Sequence, residues 1–445
     1  MDNREDVPSS ARRVVLNVLS SAHRAHADDL LSVELSRSAL SAKDRQLITE
    51  LVWGTLRWQG RLDYYLRRWF RGDFRQADRT LKNVLRLGLY QLLYLDRIPD
   101  HAAVDTSVEL AKQHLGAKPA RLVNAVLRRA IREKDSLPQP DSRNQLETLS
   151  VTTSHPAWLV LRWAARFGWK DAEALCKANN AYPDLWVRWN PLKTDLESFL
   201  KIAGESGVEA VPSEVSFGHV KLLGGVNLGE WQPFLDGLCT VQDASAGFPV
   251  QLLDPQPGEL ILDFCAAPGG KATQIAEAIN DQGTVVAQDV SPGRTGKVQE
   301  HISRLGLTSI RCLVGNGSCL REQVFDRVLL DVPCTGFGVL RRRPDIRWRR
   351  TADDIRYLVS IQYSILETAA KLVKPSGVMV YSTCTTEPEE NWELIDRFLM
   401  DHPSWRRYNA ERWVDQSVVN PRGEVETYPH IHNMDGSYAV RLVQS

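Results

Sequence analysis

Two cysteines stand where an α/β protein could use them as nucleophiles. Cys334 follows Val328-Leu329-Leu330-Asp331-Val332-Pro333, and Cys384 follows Val380-Tyr381-Ser382-Thr383. Each closes an apolar, strand-like run, and in doubly wound sheets ligands sit beyond the carboxyl ends of the strands. Asp331 adds a carboxylate to the pair. A lone cysteine is more often a small buried hydrophobe, which is the reading for Cys176, Cys239, Cys312 and Cys319. Seven cysteines with no Cys-x-x-Cys spacing indicate neither a disulfide framework nor a zinc site. His430 and His432 have no partner cluster nearby in the chain, so no metal is expected.

A second group of residues is suited to a cofactor. The run Asp263-Phe264-Cys265-Ala266-Ala267-Pro268-Gly269-Gly270-Lys271 leaves a strand and opens a helix, with small residues and two glycines that let a ligand approach the backbone. A P-loop would need Gly five positions before the Gly of its Gly-Lys and Ser or Thr after the Lys. Here those positions hold Cys265 and Ala272, and Gly-x-Gly-x-x-Gly is absent too. Asp289 ends the next strand, where it can bind a ribose diol. A nucleoside without a polyphosphate fits best, with S-adenosylmethionine as the candidate; the bland alternative is an ordinary strand–helix turn.

The elements that position these groups divide the chain. Residues 10–134 read as helix, with apolar residues recurring at three and four, as in Val14, Val15, Val18 and Leu19. Val84–Leu93 is apolar on most sides and suits a central helix. Leu137–Asn144 is polar with two prolines and reads as a linker. Residues 155–238 look like a small α+β module. Beyond residue 239, apolar strands at 259–263, 284–289, 310–314, 327–331 and 378–382 alternate with helices at 272–279, 293–305 and 353–371. That alternation predicts a mostly parallel sheet covered on both faces.

Charge is distributed unevenly over these parts. The 445 residues balance 55 Lys and Arg against 55 Asp and Glu, which excludes a uniformly basic nucleic-acid binder. Residues 51–134 nevertheless hold 17 Lys and Arg against 8 Asp and Glu. Six arginines and Trp348 crowd 341–350, directly after the Cys334 loop. No run of about 18 apolar residues and no signal pattern is present, so no membrane role and a reducing, cytoplasmic setting are expected.

Residues 263–271, 331–338 and 381–391 together resemble the signature blocks of RNA 5-methylcytosine methyltransferases. Leu92–Val104 and Val123–Arg129 resemble the NusB RNA-binding domain. The pairing is similar to the RsmB family of bacterial 16S rRNA cytosine methyltransferases, over nearly the whole chain. The resemblance implies a multidomain fold. An all-α NusB-like RNA-binding domain would span 1–137, and a linker with a small α+β domain 138–238. An α/β, Rossmann-like, S-adenosylmethionine-dependent methyltransferase domain would span 239–445.

It further implies Cys384 as nucleophile, Cys334 in adduct breakdown and Asp331 on the base edge. Cytosine-5 DNA methyltransferases use a Pro-Cys cysteine instead, here Cys334; Thr383-Cys384 favours the RNA assignment. Cofactor contacts would come from Cys265, Ala266, Ala267, Pro268, Gly269, Gly270, Lys271, Asp289, Asn316 and Asp331. RNA contacts would come from Arg341, Arg342, Arg343, Arg347 and Trp348. The expected partner is unassembled or partly assembled 16S rRNA, bound by a monomer. A tRNA substrate, or a non-catalytic antitermination role, is the alternative. Gly315-Asn316-Gly317 departs from the family's Gly-Asp: an amide oxygen replaces a carboxylate, which predicts weaker cofactor binding. Ser437, where an aromatic is common, bears on packing.

Overall fold

The computed structural model describes residues 7–37, 40–316, 320 and 324–444; Gly317 and Cys319 lie outside them. The chain forms two compact units, Met1–Ala181 with Leu340–Arg350, and Tyr182–Val339 with Thr351–Ser445.

The first unit is helical. Its helices are α1 (Val7–Ser21), α2 (Ala27–Arg37), α3 (Ala42–Arg57), α4 (Gln59–Trp69), α5 (Arg79–Tyr94), α6 (Asp100–Leu115), α7 (Ala117–Arg132), α8 (Gln145–Thr152) and α9 (Ala157–Ala178). Side chains cap the starts of α3, α5 and α8: Ser41 accepts from Asp44 N, Asp78 from Leu81 N and Asn144 from Glu147 N. As its all-round apolar sequence requires, α5 is central, with Val84, Leu85, Leu87 and Leu89 fully buried. A Cβ on Gly88 would come within 2.7 Å of the Ser107 hydroxyl, so this glycine lets α6 approach α5. By contrast α7 buries only one stripe, Ala120, Val123, Val126, Leu127 and Ala130, leaving its arginines outside.

The second unit holds two sheets. Strands β1 (Leu185–Trp189), β2 (Ala210–Pro212), β3 (His219–Leu222) and β4 (Cys239–Val241) form an antiparallel sheet in the order β2-β3-β1-β4. The helix Leu196–Glu205 contributes buried Phe199 and Ala203 to the core of this module. The larger sheet contains β5 (Leu260–Asp263), β6 (Thr284–Asp289), β7 (Ile310–Val314), β8 (Phe325–Asp331), β9 (Val373–Thr383), β10 (Trp405–Tyr408), β11 (Val425–Thr427) and β12 (Ser437–Gln444). Its order is β10-β12-β9-β8-β5-β6-β7, with β11 paired to β12. Strands β5 to β9 pair in parallel and β10 to β12 antiparallel. Strand β5 lies between β6 and β8, and β8 beside β9, so the carboxyl ends of β5, β6, β8 and β9 open on one edge of the sheet.

The two compact units meet in the chain at Ala181 and Tyr182. The segment 138–181 packs with the helices, where Tyr64 donates to Gln139 O at 2.9 Å and Gly60 N to Ser154 Oγ at 3.0 Å. The small sheet joins the large one through Arg188, whose buried guanidinium bonds Glu277 at 2.8 and 3.1 Å, Thr273 at 3.2 Å and Gly270 O at 3.0 Å. Those partners all lie on the helix that follows β5.

Candidate active site

Parallel pairing of β8 with β9 sets Asp331 beside Ser382, and the two loops that leave these strands carry the thiols. Cys334 Sγ and Cys384 Sγ stand 3.2 Å apart, both half-buried. Hydrogen bonding to Cys384 and burial hold the Cys334 thiol well above its ordinary value, so in the resting pair Cys334 keeps its proton. The loops are locked backbone to backbone. Gly338 N donates to Cys384 O at 3.0 Å and Gly436 N to Gly338 O at 2.9 Å. A Cβ on Gly338 would meet Gly436 O at 1.9 Å, so only glycine fits.

Lys271, in the first turn of the helix Gly270–Ala278 that follows β5, donates to Asp331 Oδ2 at 2.6 Å, and Ser382 donates to Asp331 Oδ1 at 3.2 Å. Burial works against the lysine's charge, but Asp331 and Asp263 outweigh it and raise its pKa; a Cys384 thiolate would add to that. A permanent cation therefore lies within reach of the proposed nucleophile, the environment a thiolate needs.

The turn Phe264–Lys271 has the openness its sequence implies. Gly269 adopts φ 111°, and a Cβ there would stand 3.2 Å from Val298 Cα. Asp289 at the end of β6 accepts from Ser291 N at 3.0 Å and from Ala267 N at 3.4 Å, and pairs with Arg294 at 3.3 Å. Gly315 N donates to Asp289 O at 3.0 Å, which brings exposed Asn316 to the same edge. Asp263 is 1% exposed, and neither of its carboxylate oxygens receives a well-formed hydrogen bond. Burial, with Asp331 adding and Lys271 opposing, pushes it up to about 7. A buried carboxylate this poorly satisfied is suited to a polar or cationic partner.

Three family profiles match the chain: the 16S rRNA methyltransferase RsmB/F family over residues 250–443, the NusB family over 9–132, and an RsmF/B-like ferredoxin-like domain over 155–228. The probable ribosomal RNA small subunit methyltransferase B of Synechocystis sp. is 37% identical, covering 97% of this chain and 99% of that protein. Its Bacillus subtilis counterpart is 36% identical, covering 97% and 98%. The chain belongs to the ribosomal RNA small subunit methyltransferase B family. Among solved structures, PH0851 covers 98% of each chain with a TM-score of 0.83 and 26% identity. A methyltransferase homolog protein from Pyrococcus horikoshii covers 68% of this chain and 99% of that one, with a TM-score of 0.61 and 25% identity. The three-part architecture expected from sequence, with a NusB-like helical part, a small middle module and a Rossmann-like sheet, is thus that of the family.

The arginine run needs correction. In this rRNA methyltransferase, Leu340–Arg350 belongs to the helical unit. Arg347, expected to meet RNA, is 0% exposed and donates to Ser154 O, Asn180 Oδ1 and Asn179 O at 3.2, 2.8 and 3.1 Å. Arg341 is 2% exposed, and its carbonyl accepts from Arg57 at 2.7 Å. Trp348 is half-buried: its indole N–H donates to Leu56 O at 2.6 Å and its ring packs over Gly60. Arg343 stays exposed and pairs with Asp28 at 2.6 Å, and Arg342 is half-buried. Burial, rather than charge, decides what each of these can bind.

Cys176 and Cys239 are buried with their thiols pushed up to about 12 by burial, as structural cysteines are, and Cys312 is half-buried. His432 is engaged with Tyr428 N at 2.9 Å and Ser417 O at 3.2 Å. Among the described residues no group of three His, Cys, Asp or Glu could hold a metal ion, and no helix is long and apolar enough to cross a membrane. Two site residues escaped sequence reasoning. Asp263 opens the block already singled out, and its position at a strand's carboxyl end was the available signal. Glu390 stands in the third block, and only its contacts reveal what it does.

Proposed function

We propose that this protein methylates C5 of a cytosine in 16S rRNA, with S-adenosylmethionine as methyl donor and Cys384 as covalent nucleophile. The observation that carries the reading is the pair of thiols 3.2 Å apart beside the Lys271–Asp331 ion pair. C5 of cytosine is too weak a nucleophile to take a methyl group from a sulfonium unaided. Addition of the Cys384 thiolate to C6 forms an S–C bond and pushes electron density to C5. Asp331 faces the base edge and supports charge developing at N3. Methylation at C5 is followed by loss of the C5 proton to a base. The S–C6 bond then breaks, returning its electrons to Cys384, with Cys334 assisting release.

The cofactor fits the residues present. Gly269 and Gly270 let it reach the backbone, Asp289 and Asn316 suit a ribose and an adenine, and the Asp263 and Asp331 carboxylates complement a sulfonium's positive charge. When bound, it supplies an electrophilic methyl group. The cytosine must leave its stack to reach these thiols, so a loop or flipped nucleotide is the substrate. Arg343, the exposed member of the arginine run, is placed for a phosphate contact.

The test is methyl incorporation into unmodified 16S rRNA, with tRNA as control. Cys384→Ala should abolish both methylation and any denaturant-stable protein–RNA adduct, whereas Cys334→Ala should accumulate that adduct. An adduct trapped by Cys384→Ala would reverse the two roles. Preferential labelling of tRNA would overturn the rRNA assignment.

A further inference from the structure

Behind the thiols lies a buried polar cluster that the chemistry above does not use. Glu390, in the turn Pro388–Glu390 after β9, is 0% exposed. Its Oε1 accepts from Thr335 N at 2.8 Å and from Gln362 Nε2 at 2.9 Å; its Oε2 accepts from the Thr335 hydroxyl. Gln362 also donates to Pro333 O at 2.9 Å. Both neighbours of Cys334 in the chain are thereby fixed by one carboxylate and its amide partner.

The Cys384 loop is fixed from the same turn. Asn391 accepts from the Thr383 hydroxyl at 2.6 Å and donates to Thr385 O at 3.0 Å. Between the two loops, the Thr335 and Thr385 hydroxyls meet at 2.7 Å. Thr335 and Thr385 are both 0% exposed. Burying a carboxylate among neutral donors is costly, and an apolar core would not need it. A fully connected polar network does something apolar packing does not: it fixes two loops in a single register.

We propose that Glu390 is a positioning residue that holds Cys334 against Cys384, acting through Thr335 and Thr385. This rests on the proposed covalent chemistry for its purpose, but not for its test. Thiol spacing can be read without any RNA. Diamide, a diazene oxidant, takes one hydrogen from each of two adjacent thiols and becomes the hydrazine, leaving a disulfide and a mass loss of two hydrogens.

Three variants of the full chain decide the matter. Thr335→Val removes the bridging hydroxyl at nearly constant volume, and Glu390→Ala removes the carboxylate. Glu390→Gln keeps the shape and can still accept from Thr335 N while donating to the Thr335 hydroxyl. Thr335→Val and Glu390→Ala should slow formation of the Cys334–Cys384 disulfide about tenfold and lower kcat about tenfold or more, with KM for RNA nearly unchanged. Glu390→Gln should restore both to within about threefold of the native protein. If Glu390→Ala does not fold, Thr335→Val decides alone. A folded Thr335→Val with native oxidation rate and kcat overturns the proposal. A native protein that oxidises as described but methylates no RNA overturns the proposed function instead.

Discussion

Two stretches that adjoin in sequence, Asp331–Phe337 and Leu340–Arg350, end in opposite circumstances. The first keeps a thiol and a carboxylate at the edge of the sheet, each held by neighbours that leave it able to react. The second carries more charge, yet Arg347 and Arg341 are spent on backbone carbonyls and packing inside the helical unit. A reactive group is recognised by having its supports behind it, while a structural one is surrounded. Residue type alone does not separate the two.

The largest expected effect sets these stretches against each other. Cys384→Ser should lower methyl transfer by on the order of 10⁴-fold or more, while unfolding free energy stays within about 1 kcal/mol of native. Arg347→Ala should do the reverse to stability. It leaves the Ser154 and Asn179 carbonyls unsatisfied and opens a cavity, costing about 3 kcal/mol. Lysine should not rescue it, because one ammonium cannot span partners that a planar guanidinium reaches together. Denaturant unfolding of the full chain, run beside a methylation assay, checks both. An Arg347→Ala chain of native stability with weakened RNA binding would break the comparison.

Legibility from sequence followed the same line. The strands 284–289 and 310–314 lie where alternation placed them: β6 carries the apolar run Val285–Ala287, mostly buried, while β7, at the end of the sheet, leaves Arg311 and Val314 exposed. The neighbouring of β8 and β9, and with it the thiol pair, was legible from topology and residue type. What stayed hidden depends on contacts distant in the chain. Arg347 is buried by Asn179 and Ser154, and nothing local marks a run of arginines as interior. Glu390 reads as a surface acid until Thr335 is seen against it. The seam near residue 181 was hidden for the same reason, since α8 and α9 are held to the first unit by tertiary bonds.

On the catalytic side, the next effect is at Asp289. Asp289→Ala removes a carboxylate placed for a ribose diol, and should weaken cofactor binding by about 2 kcal/mol, measured by calorimetry with S-adenosylmethionine. Asn316→Asp should strengthen binding by a smaller amount, since it restores a charge-assisted acceptor. An unchanged affinity in Asp289→Ala would move the ribose elsewhere.

Asp263 gives a pH-dependent version of the comparison. Its folded value, about 7, lies above the ordinary carboxylate value. Below the unfolded value the group is protonated in both states and costs nothing. As pH rises toward 7 the unfolded chain gains by ionising, and the folded state loses stability until its own carboxyl titrates. Asp263→Asn should therefore be increasingly more stable than the native, cofactor-free protein from about pH 4 to 7, and by a constant amount above that. The difference should reach about 4 kcal/mol. A difference that shrinks with rising pH would reverse the sign of the effect.

The smallest expected effect sharpens the arginine comparison most. Arg343 shares the run with Arg347 but is exposed, and its pairing with Asp28 is partly solvated. Exposed ion pairs of this kind contribute about 0–1 kcal/mol, so Arg343→Ala should barely move the unfolding transition. Its effect belongs in RNA binding instead. Losing one phosphate contact should weaken affinity about equally for all RNA sequences and reduce the slope of log K against log salt by about 1. Arg347→Ala, corrected for any unfolded fraction, should leave that slope unchanged. Equal slopes for Arg343→Ala and the native protein would remove Arg343 from the RNA contacts and point to other basic surfaces, such as the exposed face of α7.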